Sequence, residues 1–161
     1  MNLDFERKEE INYSIIIPHK NSTVLLERCL KSIPCRKDVQ VIVVDDNSEN
    51  QEELNAVVGG FSQVELILTQ GGGAGHARNE GLKYIRGKWV LFADADDFYN
   101  KNAFSILDNY INSDNDVIYF FANSLDVNTL LPTPREKDLQ NIYEKYDSDN
   151  IRSADYIRFK N

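Results

Sequence analysis

The sequence has little of what would staple or anchor a chain from outside its own core. It carries only two cysteines, Cys29 and Cys35, so it has no disulfide framework and no zinc-ligand spacing. The longest apolar runs, such as Ile15-Ile16-Ile17 and Val41-Ile42-Val43-Val44, fall far short of the ~20 residues that cross a bilayer. The first residues, Met1 to Glu10, alternate charge with little apolar content, unlike a signal peptide. Low-complexity tracts and internal repeats are absent. Positive charge is scarce as well: 18 Lys+Arg against 26 Asp+Glu leaves a net charge of −8. That balance argues against nucleic acid and against an electrostatic grip on anionic lipid. The expected address is the cytoplasm, reaching the inner face of a membrane only through a partner or a further portion of chain.

What is present is an ordinary globular composition, 42% hydrophobic and 27% charged over 161 residues. That length suits one core. Short apolar runs alternate with helical patterns. Strands are predicted over Tyr13 to Pro18, Val39 to Asp45, Val64 to Thr69, Lys88 to Ala93 and Asp116 to Ala122. Helices are predicted over Ser22 to Ile33, Gln51 to Val58, Ala74 to Arg86 and Lys101 to Asn112. The third helix has an inner stripe of Ala74, Ala77, Gly81 and Ile85, small enough to lie close to a sheet. Strands without polar alternation, joined by helices, predict an α/β fold: a mostly parallel sheet covered by helices on both faces. The core is expected over residues 1–123. Residues 124–161 form a polar extension with helical candidates at Arg135 to Tyr146 and Ile151 to Lys160.

In such sheets ligands bind beyond the carboxyl ends of the strands. Those ends carry Pro18-His19-Lys20-Asn21, Asp45-Asp46-Asn47-Ser48, the glycine loop Gly71-Gly72-Gly73-Ala74-Gly75, and Asp94-Ala95-Asp96-Asp97. In extended geometry Asp94 and Asp96 point to one side, and two such carboxylates suit a divalent cation. Asp97 reads as a turn former or cap. Asp45-Asp46 is either turn chemistry or a cleft carboxylate that meets a nucleobase N–H or a second metal contact. The glycine loop matches neither a dinucleotide fingerprint nor a triphosphate P-loop, but it opens a helix, and helix N-termini attract anions. Arg78 is expected in that helix's first turn. A cation opposes the dipole there, which hints at a phosphate, unless Arg78 makes a surface salt bridge. His19 and His76 read as polar loop residues, and Cys29 as a core residue.

Taken together, these residues resemble the family 2 glycosyltransferases of the GT-A fold. The resemblance runs from Ser14 to about Tyr99. It rests on Ser14 to Pro18 with Asn21, on Val43-Val44-Asp45-Asp46-Asn47-Ser48, on Gly75-His76-Ala77-Arg78-Asn79-Glu80-Gly81, and on Gly87 with Val90 to Asp97. Lys20 stands where the family usually has an aromatic residue. The resemblance implies transfer of a sugar from a nucleotide diphosphate donor, a UDP-sugar first among them, to an acceptor hydroxyl on a saccharide or a lipid-linked acceptor. It places Pro18 and His19 under the nucleobase and Asn21 nearby, Asp46 on the base ring with Asp45 supporting the turn, and Arg78 and Asn79 along the donor pocket. Asp94 would sit by the ribose and the metal, and Asp96 would bind Mg²⁺ or Mn²⁺. The catalytic base of an inverting reaction is expected outside this chain, as in a donor-binding portion of a longer enzyme. Three other readings compete. A non-catalytic nucleotide-sugar-binding module shares these residues. A receiver-type signalling domain would need its acidic pair after the first strand, and a sugar nucleotidylyltransferase would need a basic glycine-rich loop there.

Overall fold

A computed structural model describes residues 10–118, 123–126 and 128–133. Four strands form one parallel sheet: β1 (Tyr13–His19), β2 (Val39–Asp45), β3 (Val64–Leu68) and β4 (Trp89–Phe92), in the order β3-β2-β1-β4. The helices are α1 (Thr23–Ser32), α2 (Gln51–Val58), α3 (Gly73–Gly81) and α4 (Ala103–Leu107). All seven residues of β1 and all seven of β2 are buried, as expected of central strands whose side chains alternate between two covered faces.

The alternation sorts the core. Ile15, Ile17, Val41 and Val43 point to one face, where they pack with Leu26, Cys29 and Leu30 of α1, Leu54 of α2 and Phe104 of α4. Ile16, Ile42 and Val44 point to the other face, against Ala77 of α3. Burying each such aliphatic side chain contributes about 1.5–3 kcal/mol. Burial also pushes the Cys29 thiol up to about 12, which keeps it protonated and inert.

Helix α3 comes close to the sheet because Gly81 has no side chain. A Cβ there would stand 2.6 Å from Ile16 Cγ2. The expected inner stripe is shorter than predicted: Ala77 and Gly81 are buried, whereas Ala74 is exposed. The α-helix ends at Gly81, a single 3-10 turn (Leu82–Tyr84) follows, and Ile85 lies beyond it in extended backbone.

The connection from β3 to β4 passes over β2 and β1, so the strand order reverses between β1 and β4. A crevice opens at the carboxyl ends of strands at such a switch point. Residues 116–118 of the expected fifth strand have no regular secondary structure. Its remaining residues and the helical candidates at 135–146 and 151–160 lie outside the described residues. Two compact units divide at Ser113 and Asp114. In the second, Leu125 and Pro132 form an antiparallel bridge, and Asp126 Oδ1 accepts the Asn128 and Thr129 amides at 3.0 and 2.8 Å.

The approach of β4 to β1 depends on Gly87, where a Cβ would meet the Ser14 nitrogen at 2.4 Å and the Tyr13 carbonyl carbon at 2.6 Å. Backbone atoms cannot swing aside, whereas the Ile16 side chain beside Gly81 can adjust in part. Gly87→Ala is therefore expected to destabilise more than Gly81→Ala, which should cost about 1–3 kcal/mol as an overpacked core does. Urea unfolding of the two variants checks this order, and the reverse order contradicts it.

Candidate functional site

Strand β1 ends in a buried histidine and β2 in a buried aspartate. His19 is 2% exposed and Asp45 0%. His19 Nε2 accepts the Ser22 amide at 3.1 Å, so the ring proton sits on Nδ1 and is donated to Asp45 Oδ1 at 2.9 Å. The Ser48 hydroxyl donates to the same oxygen. Asp45 Oδ2 accepts the Ser48 amide at 2.9 Å and Gln51 Nε2 at 2.8 Å. Burial alone would raise the Asp45 pKa, but donation from Ser48, Gln51 and His19 outweighs it and holds the carboxyl below its usual range. The Asp45 carbonyl accepts the Thr69 amide and hydroxyl at 2.9 and 3.0 Å, which ties in the end of β3.

Asp46, 5% exposed, points the other way along the pleat. Its oxygens accept the Gly73 amide at 3.0 and 3.1 Å, and Lys20 Nζ lies 3.6 Å from Oδ2. Gly73 opens α3, whose N-cap Gly72 has no side chain to offer. Asp46 supplies that cap from the loop after β2, and its charge suits the positive end of the helix. Gly71, Gly72 and Gly73 have φ values of 98°, 144° and 84°, a run that only glycines adopt without strain.

The third element is the turn after β4. The strand stops at Phe92, and the Asp97 amide bonds the Asp94 carbonyl at 3.0 Å. The carboxylates meet through this turn rather than through extended alternation, with Ala95 between them buried at 8% exposure. The turn also recruits Asp97. One oxygen from each of Asp94, Asp96 and Asp97 lies within 4.8 Å of the others. An exposed all-oxygen set with room for water is the donor type that Mg²⁺ or Mn²⁺ takes. Packing around the Asp97 carboxyl raises its pKa, and the negative charges of Asp96 and Asp94 push the same way.

Arg78 ion-pairs with Asp94. It lies in the last turn of α3, where a cation suits the dipole, so the expected clash in a first turn does not arise. One helix therefore joins both acidic places: its first amide holds Asp46 and its last turn holds Asp94. Pro18 is buried in β1. Asn21, in left-handed backbone with φ 53°, donates its amide to Ser48 Oγ at 2.9 Å and accepts the Glu49 amide at 2.9 Å. Asn79 stands exposed on α3. His76 stays on its own helix, 3.8 Å from Glu80.

Four residues of this region escape a reading of the sequence. Ser48 and Gln51 satisfy Asp45, and only the Asp-Asp-Asn-Ser turn pattern hints at the first. Thr69 gives no sign. Arg28 of α1 donates to the Asp96 carbonyl at 2.5 Å and lies over the Phe98 ring at 5.2 Å, a contact no local pattern reveals because its partner is 68 positions away.

The family model described as Glycosyl transferase family 2 matches residues 14–159. The poly(ribitol-phosphate) beta-glucosyltransferase of Bacillus spizizenii is 34% identical over 98 residues, covering 56% of this chain and 16% of that protein. The poly(ribitol-phosphate) beta-N-acetylglucosaminyltransferase TarS of Staphylococcus aureus strain Mu50 is 38% identical over 106 residues, covering 58% of this chain and 18% of that protein. The crystal structure of S. aureus TarS residues 1–349 superposes with a TM-score of 0.56 at 28% identity, covering 63% of this chain and 32% of that one. The chain thus spans under a fifth of the length of these two curated relatives.

The Asp45 shift has a definite sign. A depressed folded-state pKa contributes stability above the unfolded value of about 3.9, and that stability is lost as pH falls through the folded value. Asp97, raised by its surroundings, works in the opposite sense and costs stability as pH rises through its titration. Asp45→Asn should lower stability by about 1–3 kcal/mol, because an amide NH₂ then faces donors. It should also shrink the loss of stability below about pH 4. Urea unfolding of wild type and variant from pH 3 to pH 8 tests both effects. An unchanged acid limb would mean that Asp45 does not carry it.

Proposed function

The chain belongs to the family 2 glycosyltransferases, and from that premise we propose that it binds the nucleoside diphosphate of a sugar donor and presents the sugar to an acceptor hydroxyl. The observation that carries this is α3 joining Asp46 at its first amide to Asp94 in its last turn, beside the β1–β4 switch point. In this reading Asp46 accepts an N–H of the nucleobase, since a carboxylate oxygen that holds one amide still has a lone pair to offer. Pro18 and the Asn21 turn form the floor beside the base. Lys20 and Arg78 bring positive charge to a chain whose net field repels an anionic donor, and Asn79 lies on the same helix as Arg78.

Asp94 and Asp96, with Asp97 adjacent, would hold a Mg²⁺ or Mn²⁺ that neutralises charge on the leaving diphosphate. The same three side chains exclude a bare diphosphate by repulsion when no cation balances them. We assign a UDP-sugar as donor and a cell-envelope saccharide, free or lipid-linked, as acceptor. The relatives named for poly(ribitol-phosphate) glycosylation support that class. The transfer is proposed to invert the anomeric carbon, with the catalytic base assigned to no residue of this chain. Among the described residues no helix is long and apolar enough to cross a membrane.

Titration calorimetry with UDP, with and without Mn²⁺, tests the proposal. UDP should bind at least tenfold more tightly with the cation, about 1.4 kcal/mol, and Asp96→Ala should remove that gain. Binding that ignores both the cation and the substitution overturns the metal role. No binding of UDP, GDP or dTDP overturns the donor role.

A further inference from the structure

We propose that His19 is a positioning residue of the donor site: through Asp45 it fixes the loop that aims Asp46. The proposal rests on the donor reading above and adds a role for a side chain that no ligand can reach, since the His19 side chain is 0% exposed.

The residue grips the neighbouring loop at two points. Its carbonyl accepts the Asp46 amide at 2.8 Å, and its Nδ1–H is donated to Asp45 Oδ1 at 2.9 Å, with Ser48 Oγ also near at 3.4 Å. The opposite ring nitrogen accepts the Ser22 amide at 3.1 Å. The ring therefore joins the start of α1 to the end of β2. Two crossed bonds complete the clamp, the Asn21 amide to Ser48 Oγ and the Glu49 amide to Asn21 Oδ1, each 2.9 Å.

Asp46 sits between the clamped Asp45 and Asn47, whose φ of 63° is left-handed. A left-handed non-glycine residue holds its conformation only when its surroundings enforce it. Here the enforcement comes from the His19, Ser48 and Gln51 donors on Asp45. Loss of the Nδ1 donor leaves a buried carboxylate oxygen short of one partner, and such a shortfall costs more than the bond itself contributed. The loop's cheapest relief is to turn Asp45 toward water, which carries Asp46 with it.

The Gly73 amide reports this directly. It lies at the start of α3 and has no intrahelical acceptor, so Asp46 is its acceptor. Two substitutions separate the ring's functions. The amide of His19→Asn can stand at the Nδ1 position and donate to Asp45, whereas His19→Gln extends to the Nε2 position and can serve only Ser22. Amide hydrogen exchange followed by NMR should show Gly73 exchanging at least tenfold faster in His19→Gln than in wild type. In His19→Asn it should stay within about threefold of wild type, and the Ile16 and Ile42 amides should be unchanged in both. The UDP dissociation constant should follow the same order. Equal Gly73 exchange in the two folded variants, or Ile16 and Ile42 loosening together with Gly73, overturns the proposal and leaves His19 a packing residue. A wild-type chain that binds no UDP overturns the donor reading alone, because the exchange measurement needs no nucleotide.

Discussion

Everything at the carboxyl edge of the sheet depends on keeping one charged carboxylate, Asp45, out of water. Burying an ion without partners is prohibitive, so the fold must bring donors to it, and they come from separate places. His19 arrives on β1, Ser48 from the loop, and Gln51 at the head of α2. Meeting that one requirement fixes the relative positions of two strand ends and a helix start. Buried polar groups that are fully satisfied specify a single arrangement more sharply than apolar contacts do. A functional site at the switch point therefore has a rigid floor before any ligand arrives.

The acidic residues grade from closed to open along this edge. Asp45 has both oxygens saturated by protein. Asp46 is buried but holds a single amide and faces Lys20 across 3.6 Å. Asp94, Asp96 and Asp97 are exposed, with the Arg78 guanidinium on the first of them. This order is also one of chemical availability. A fully bonded carboxylate is structure, a carboxylate with a lone pair to spare can read an N–H, and a crowded exposed group can take a cation.

Residues 116–118 of the expected fifth strand have no regular structure, whereas the four strands of the sheet were legible in the sequence because runs such as Val41 to Val44 have no polar alternation and so belong to a covered sheet. The glycine loop and the acidic strand ends were legible as positions for the same reason. Other features were not. Apolar periodicity that continues to Ile85 predicts α3 past Gly81, whereas the α-helix ends there and a single 3-10 turn follows. Arg78, expected in the first turn, lies in the last turn of a helix that stops at Gly81. Alternation after a strand predicts extended backbone through Asp96, whereas the Asp97 amide bonds the Asp94 carbonyl and closes a turn. Arg28 and Thr69 act on partners distant in sequence, and no local pattern encodes such contacts.

The aspartyl turn does not balance its own charge. Arg78 on Asp94 and Arg28 on the Asp96 carbonyl face three carboxylates, and burial first, then the charges of Asp96 and Asp94, raise the Asp97 pKa. A diphosphate brought to this edge alone would add to the excess, and a cation brought alone would lack the ligands it prefers beyond one or two carboxylates and water. Each relieves the other's deficit. Arg78 matters in this balance because it belongs to the helix whose first amide is held by Asp46. A shift at one end of α3 is therefore mechanically connected to the other, through nine residues of a short, stiff element. Charge and helix geometry thus bear on the same edge: α3 holds Asp46 at its first amide and Asp94 through its last turn, and so sets the separation of the two carboxylates.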